Sequence, residues 1–562
     1  MKTAFASVIA LKLVPLCAVA LFMLTFIMIK PVDVVKLPDV RLYPLYYFLI
    51  QPVTVWVFIP LAVFTVMFHP KPFHRILAAL FLAFTVEFLP SVIMANPWLP
   101  DQYPYLAEAY WIYLHGRVSE IHYLSTVPGL GLTYGIFGII TNLSPFAISR
   151  ACSLLQAIVL AAIMMSLSKK LINNYTLLLL LFLSFNYFTN TINTFHRAGL
   201  HFTHSLIFLY FVFAMLNYQH LKLEHIITLT IVFSVMVLTY PGSGFILTTI
   251  IGAYLLLYVV RKEAPIIKLP LMVLSIVFSS WYSYAALREL RVAGSLRDSL
   301  LKVLRLELSL EESMTHPFSE GLTPLFNTIV RTRLLIEGTI IVTGCLIALY
   351  RYISAIRSRG RRVDEALSIY ALTLASLIAP APWLLTEWSR WSFYKFSHYF
   401  LLFSLMSLLR YIYSQRPLRR LTKPLSIRAA VGIVVASALL LVPLLRYASM
   451  PYLHVTTQEL HSVFFVHKYF TFHSSCYYLE YPPYILPSLL IHRDYLHELS
   501  FRYWFEDLLA GLYVITERAL TRDGFYVYPQ PLQVRLRKVE NALTMWGDKV
   551  YDNGYTRIFD FI

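Results

Sequence analysis

Charge is scarce in this chain. Only 14% of its 562 residues are Asp, Glu, Lys or Arg, against 58% hydrophobic ones. That balance excludes a soluble globular enzyme, whose surface needs roughly a quarter of its residues charged. Cysteine is scarce too: Cys17, Cys152, Cys345 and Cys476 stand far apart, with neither the density of a disulfide framework nor the spacing of a metal site. No phosphate-binding loop, dinucleotide fingerprint or nucleophile elbow occurs, so the common nucleotide and serine-hydrolase chemistries have no foothold. Acids are the rarer charge, 30 against 47 Lys and Arg, for a net charge of +17. In so apolar a chain this excess points to basic cytoplasmic loops rather than to nucleic acid, and no nucleic-acid partner is expected.

What the chain has in plenty is long apolar runs, with a mean hydropathy of +0.64. Runs at 4–29, 45–68, 76–95, 145–167, 174–191, 204–219, 225–241, 244–260, 266–287, 336–353, 366–386, 396–413 and 429–448 approach the length that crosses a bilayer core. The expected fold is an all-α polytopic membrane protein of about 13 transmembrane helices. Lys2 precedes the first run, but Lys12 interrupts it and no small-residue cleavage site follows, so it reads as a retained span. The basic loops HPKPFHR (69–75), SKK (168–170), RKEAPIIK (261–268), RYISAIRSRGRR (351–362) and SQRPLRRLTKPLSIR (414–428) fall on one side. That side is expected to be cytoplasmic, with the N-terminus, and the C-terminus outside.

The same count divides the chain into a transmembrane domain, 1–448, and an extracytoplasmic C-terminal domain, 449–562. External loops are expected at 96–144 and 288–335. The second carries seven Lys or Arg, and its LRDSLLKVLRLELSL places Leu296, Leu300, Val303 and Leu304 on one face, as in a helix lying in the interface. In the tail, GFYVYPQPLQVRLR and KVYDNGYTRIFDFI read as strands with turns, giving a small mixed domain. Its histidines, His454, His461, His467, His473, His492 and His497, fit no ligand spacing.

The first external loop opens NPWLPDQYPYLAEAYWIYLHGR. Asp101 and Glu108 stand among aromatic rings just beyond the third run, where partial removal from water makes a carboxylate a better proton acceptor. The bland alternative for Asp101 is a turn residue starting a helix over Tyr103–His115; for Glu108 it is a helix acid facing solvent. Glu87 lies inside a run, where an acid is costly and is by default functional or paired. Two cation clusters break the basic-inside trend: FHRAGLHFTH, with His196, Arg197, His201 and His204, and TEWSRWSFYKFSHYF, with Arg390, Lys395 and His398. Singly, such cations snorkel at helix ends among aromatic residues; together they suit an anion. The short YPGSG (240–244) reads as a tight turn.

DQYPYLAEAYWIYLHGRVSEIHYLSTVPGLGL resembles the first external loop of the GT-C glycosyltransferases, multi-span enzymes that take sugars from polyprenyl-phosphate carriers; protein O-mannosyltransferases and the lipid A aminoarabinose transferase are among them. Asp101, Tyr105, Gly116 and Pro128-Gly129 match the family's Asp, Tyr, helix-ending Gly and later turn, while Gln102 stands where a Glu is expected and two extra runs precede the loop. The resemblance implies a membrane glycosyltransferase, with Asp101 and Glu108 as catalytic acids and Gln102 and Tyr105 supporting the loop. Arg390, Lys395, Arg197 and His196 would bind the donor phosphate. The implied partners are a polyprenyl-phosphate-linked sugar donor and a lipid, glycan or protein acceptor. No ATP or nucleotide sugar is needed for such a reaction; a divalent metal is compatible with the family, although no motif indicates one. A transporter or flippase of lipid-linked glycans and a non-catalytic assembly subunit are the competing readings.

Overall fold

The computed structural model describes residues 2–29, 31, 49–94, 102–118, 128–187, 197–217, 223–240, 242–261, 268–288, 324–357, 367–379, 389–414 and 425–447, together with five strands between 476 and 561. Each of the thirteen apolar runs carries a helix. In chain order these are α1 (Lys2–Met28), α2 (Val53–Phe68) and α3 (Pro72–Ala83), which passes through a π-helical turn (Phe84–Phe88) into α4 (Leu89–Ile93). The first loop supplies α5 (Gln102–His115) and α6 (Gly129–Thr141). Then follow α7 (Pro145–Ile172), α8 (Leu177–Phe185), α9 (Arg197–Asn217), α10 (Leu223–Thr239), α11 (Ser243–Arg261) and α12 (Lys268–Arg288). The series closes with α13 (Pro324–Arg357), α14 (Leu367–Ile378), α15 (Ser389–Ser414) and α16 (Leu425–Tyr447). Five stretches are long and apolar enough to cross a membrane: Pro72–Ile93, Ala147–Ile172, Ser243–Val260, Arg331–Arg357 and Ala429–Arg446. The protein is a multi-pass membrane protein by that measure.

Helices suit such a sequence because a segment in lipid must satisfy its backbone internally. Serines and threonines within them turn their hydroxyls back onto the carbonyl one turn earlier, as Thr25 does to Leu21 at 2.8 Å and Thr249 to Phe245 at 2.8 Å. Small residues then let helices approach. A Cβ on Gly344 of α13 would stand 2.5 Å from the Ser404 side chain of α15, and Ser404 Oγ donates to the Ile341 carbonyl at 3.2 Å. Thr373 of α14 and Ser407 of α15 share a hydrogen bond of 2.7 Å. Aromatic packing does the same work at the start of the chain, where Phe22 stacks on Phe81 with centroids 4.2 Å apart.

The helix α8 is only nine residues long, about 14 Å, which is half a bilayer core. Beyond it Asn186 and Tyr187 are completely buried. Other helices hold Tyr187: Arg333 of α13 donates to its backbone carbonyl at 3.4 Å, and its side-chain Oη donates to the Ala438 carbonyl of α16 at 3.2 Å. Interrupted backbone at this depth is tolerated only where protein surrounds it. The apolar run at 174–191 therefore contains less helix than its length suggests.

The tail holds a five-stranded sheet of β1 (Cys476–Leu479), β2 (Leu496–Glu498), β3 (Gly511–Thr516), β4 (Asp548–Asp552) and β5 (Thr556–Phe561), in the order β2-β1-β3-β5-β4. β1 pairs parallel with β2 and β3; β5 pairs antiparallel with β3 and β4. The two strands of the KVYDNGYTRIFDFI stretch, β4 and β5, are thus an antiparallel pair. The strand expected in GFYVYPQPLQVRLR and the interfacial helix expected within 289–323 lie outside the described residues.

Candidate functional site

The first loop folds as a helix pair. α5 ends where Gly116 adopts a left-handed φ of 68° and its N–H returns to the Ile112 carbonyl at 2.8 Å, the helix stop expected of a glycine there. Tyr105, Leu106, Ala109 and Ile112 form its buried stripe. Glu108 lies on that stripe and is 4% exposed, so the reading of a solvent-facing acid is corrected.

The cause is the glycine spacing of α6. Gly131, Gly135 and Gly138 recur at i, i+4 and i+7 on one face. A Cβ on Gly131 would come within 2.7 Å of Glu108 Cγ, one on Gly135 within 2.7 Å of Ile112, and one on Gly138 within 3.0 Å of Tyr113. The two helices therefore touch backbone to side chain along three turns, and the segment 129–141 is a helix docked on α5. Tyr134 closes the interface from α6, with its hydroxyl 2.6 Å from Cys152 Sγ of α7. Burial, with Cys152 beside it, pushes the Tyr134 phenol well above its ordinary range, so it stays a neutral hydroxyl.

The start of α6 is seated as closely on the end of α10. A Cβ on Gly129 would lie 2.8 Å from the Thr239 backbone. The next residue, Tyr240, meets the His201 ring of α9 edge-on, centroids 5.3 Å apart. The turn beyond it is closed by Ser243 N–H donating to the Tyr240 carbonyl at 3.2 Å, and Gly242 packs against both Tyr240 and Phe396 of α15. Tyr240 and Gly242 thus join the start of α6 to α9 and α15.

Those helices meet at His201 and Tyr399. Tyr399 Oη lies 3.0 Å from His201 Nδ1 and donates to Ser205 Oγ at 2.9 Å; Ser205 in turn donates to the His201 carbonyl at 2.8 Å. The two hydroxyls and His201 Nδ1 thus form one buried hydrogen-bonded chain. His201 Nε2 is buried and, among the described residues, has no hydrogen-bond partner. His398 sets its ring edge-on against Phe202, centroids 4.4 Å apart.

One further buried pair lies among the described residues. Glu87, in the π-helical turn, receives both arms of the Arg446 guanidinium at 2.8 and 2.9 Å, with exposures of 1% and 0%. Glu87 therefore has the partner that its place in an apolar run demanded. Sequence reading missed Arg446 itself, although a cation of opposite sign inside another span was the available signal.

Of the residues expected to carry chemistry, Tyr105 and Glu108 are brought together on the inner face of α5. Gln102 opens α5, Arg197 opens α9, and Arg390 and Lys395 lie in the first two turns of α15. Arg197 stands one turn before His201, and Lys395 one turn before Tyr399. Asp101 and His196 lie outside the described residues.

No protein-family model and no curated protein matches the chain. It is similar to solved structures of low identity. One is the Archaeoglobus fulgidus oligosaccharyltransferase tethered with an acceptor peptide, at a TM-score of 0.47 and 13% identity over 74% of this chain and 62% of that one. Another is ArnT from Cupriavidus metallidurans in the apo state, at 0.47 and 10% identity over 86% and 96%. The same ArnT bound to undecaprenyl phosphate gives 0.40 and 11% identity over 90% and 98%. The chain thus spans 62% of the length of the oligosaccharyltransferase.

Proposed function

We propose that this chain is a GT-C-type glycosyltransferase that moves a monosaccharide from a polyprenyl-phosphate donor to an acceptor hydroxyl at the extracytoplasmic face. The observation that carries the reading is the convergence of α9 and α15. Two stretches about 200 residues apart were each singled out as phosphate-binding from sequence, and they are joined at His201–Tyr399, one turn below Arg197 and Lys395. With thirteen spans and a cytoplasmic N-terminus, both helices begin at the external surface, so both cations stand at one depth.

In this reading the donor enters sideways from the bilayer and its phosphate meets Arg197, Arg390 and Lys395, with His196 beside them. Asp101 takes the proton of the acceptor hydroxyl; the freed oxygen attacks the anomeric carbon; the bond to the phosphate oxygen breaks and the polyprenyl phosphate leaves with its electron pair. In-line displacement inverts the anomeric carbon. The cations act on charge that grows at the leaving phosphate, the interaction that lowers such a barrier most. Glu108, enclosed against Gly131, is a second catalytic acid. It replaces the Glu that the family places beside the Asp and that Gln102 does not supply. Choice of the acceptor falls, in this reading, to the loop at 288–335, now seen to end where α13 begins at Pro324, and to the domain at 449–562.

The test is transfer of radiolabelled sugar from a polyprenyl-phosphate pool to membrane acceptors, wild type against Asp101→Asn. Loss of transfer by orders of magnitude in a folded variant supports the reading. A variant that keeps transfer removes Asp101 from the chemistry. Movement of the lipid-linked sugar across the bilayer with the donor intact, and no transfer, makes the protein a transporter instead.

A further inference from the structure

Two side-chain amides are buried in the helix bundle without partners. Asn186, just past the end of α8, is completely buried, and Gln156 of α7 is 2% exposed. Neither atom of either amide has a hydrogen-bond partner among the described residues. A buried amide without partners is costly, the more so where lipid rather than water surrounds the protein. Packing alone would favour leucine or methionine at both positions. Four such atoms need an account that cohesion does not give.

Contacts between the helices fix where both amides lie. The Leu178 N–H of α8 donates to Ser168 Oγ of α7 at 3.2 Å. Counting from that contact back toward the start of α7, Asn186 is level with Leu160, and Gln156 stands about one turn beyond. Leu200 of α9 belongs to the buried cluster of Cys152 and Tyr134, while Lys170 at the far end of α7 lies over the Phe213 ring at 5.2 Å. Helix α9 therefore runs parallel to α7 and antiparallel to α8. Phe182 of α8 stacks on Phe202 of α9 with centroids 5.9 Å apart, and Phe202 meets Tyr399 of α15 at 5.2 Å. Asn186 follows Phe182 by one turn, which brings it level with the first turn of α9. Gln156 follows Cys152 by one turn on the buried stripe of α7, and Cys152 Sγ meets the Tyr134 hydroxyl of α6 at 2.6 Å. The amides thus lie between the first loop, with its Glu108, and the contact of α9 with α15.

We infer that Asn186 and Gln156 are binding residues for the sugar of the lipid-linked donor and take its hydroxyls. An amide offers two N–H donors and a carbonyl acceptor, and a sugar hydroxyl both gives and accepts a hydrogen bond, so the two match without net charge. A phosphate calls for cations instead. Position agrees with chemistry. With the acid on the first loop and the phosphate at the heads of α9 and α15, the sugar that joins them falls between. Both amides are closed off in this structure, so the sugar reaches them by displacing the side chains packed over them. The unpaired amides make that closed packing less costly to open, and a ligand that satisfies them favours the open form. This inference rests on the donor reading above for its ligand.

The variants are Asn186→Leu and Gln156→Met, which keep the volume and remove the amides. Two readouts are taken in nanodiscs. The melting temperature without ligand should stay level or rise, because a burial cost is relieved. A fall in either variant means that its amide is already paired in the folded protein and overturns its assignment. The second readout is binding of undecaprenyl phosphate bearing mannose, glucose or no sugar. Wild type should hold at least one sugar-bearing lipid more tightly than the bare phosphate. Each variant should lose about tenfold or more of that affinity while binding undecaprenyl phosphate as wild type does. Three lipids bound alike by wild type, or affected alike in variants that stay folded, overturn the sugar subsite and leave the donor reading standing. Wild type that binds none of the three overturns the donor reading, and the ligand named here with it.

Discussion

His201 Nδ1 and Tyr399 Oη lie 3.0 Å apart across 198 positions of sequence, and that contact joins the helices that bear the candidate phosphate cations. Tyr399→Phe keeps the ring, whose neighbours are Phe202 and Phe245 with centroids 5.2 and 5.6 Å away, and removes the hydroxyl. The expected loss is about 1–3 kcal/mol of stability, because Ser205 and His201 are left buried without it. The KM for donor should rise as well, while Ser205→Ala, which removes only the far end of the chain, should cost less of both. Thermal melting and donor titration of the two variants check this.

Three of the four glycines of α6, Gly131, Gly135 and Gly138, set the place of Glu108. Gly131→Ala and Gly135→Ala each put a methyl where another side chain already lies within 2.7 Å, so α5 must move away. Overpacking of this kind costs about 1–3 kcal/mol, and transfer activity should fall further than stability does. Gly338→Ala in α13 is the control: nothing lies within 4 Å of its Cβ, and it should be neutral or slightly stabilising. Melting temperatures and initial transfer rates of the three variants give the comparison.

Much of this arrangement was legible in sequence, and the remainder was hidden for identifiable physical reasons. Gly116 ended a helix as expected because only a left-handed residue lets the last carbonyls be capped. The strands on either side of the Asn-Gly of KVYDNGYTRIFDFI pair antiparallel, as the stretch's alternation and turn residues led one to expect. Glu87 advertised a partner but not its address: Arg446 is 359 positions away, and helix packing rather than spacing brings the two together. The glycines of 129–141 lower that segment's own helix propensity, and the gain that offsets them, close approach to α5, lies in a neighbour that only the fold supplies. His201 could be noticed as one of several histidines, but its hydrogen-bonded chain needs a tyrosine and a serine that only the fold assembles around it.

Glu108 should separate from a structural acid by its isostere. Glu108→Gln retains the volume against Gly131 and should leave the melting temperature close to wild type. Removal of a catalytic acid costs on the order of 10²- to 10⁴-fold in rate. Glu108→Ala would add a cavity and lower stability too, so the Gln variant is the informative one. If its rate of sugar transfer at saturating donor equals wild type, Glu108 serves packing alone and the chemistry belongs to Asp101.

Arg197 and Lys395 should act on one ligand, and coupling is the way to ask. Each stands one turn before a member of the His201–Tyr399 pair, so both would contact the same phosphate although nearly 200 residues separate them. Alanine at either position should weaken binding of the polyprenyl-phosphate donor. The double variant should lose less than the sum of the two, with an interaction energy of about 0.5–3 kcal/mol. Pairing Arg197→Ala with Lys268→Ala, at the start of α12, should instead be additive within about 0.5 kcal/mol, because Lys268 belongs to the loop expected on the opposite face. Additivity in both cycles would mean that α9 and α15 meet for packing and that the two cations answer to different partners.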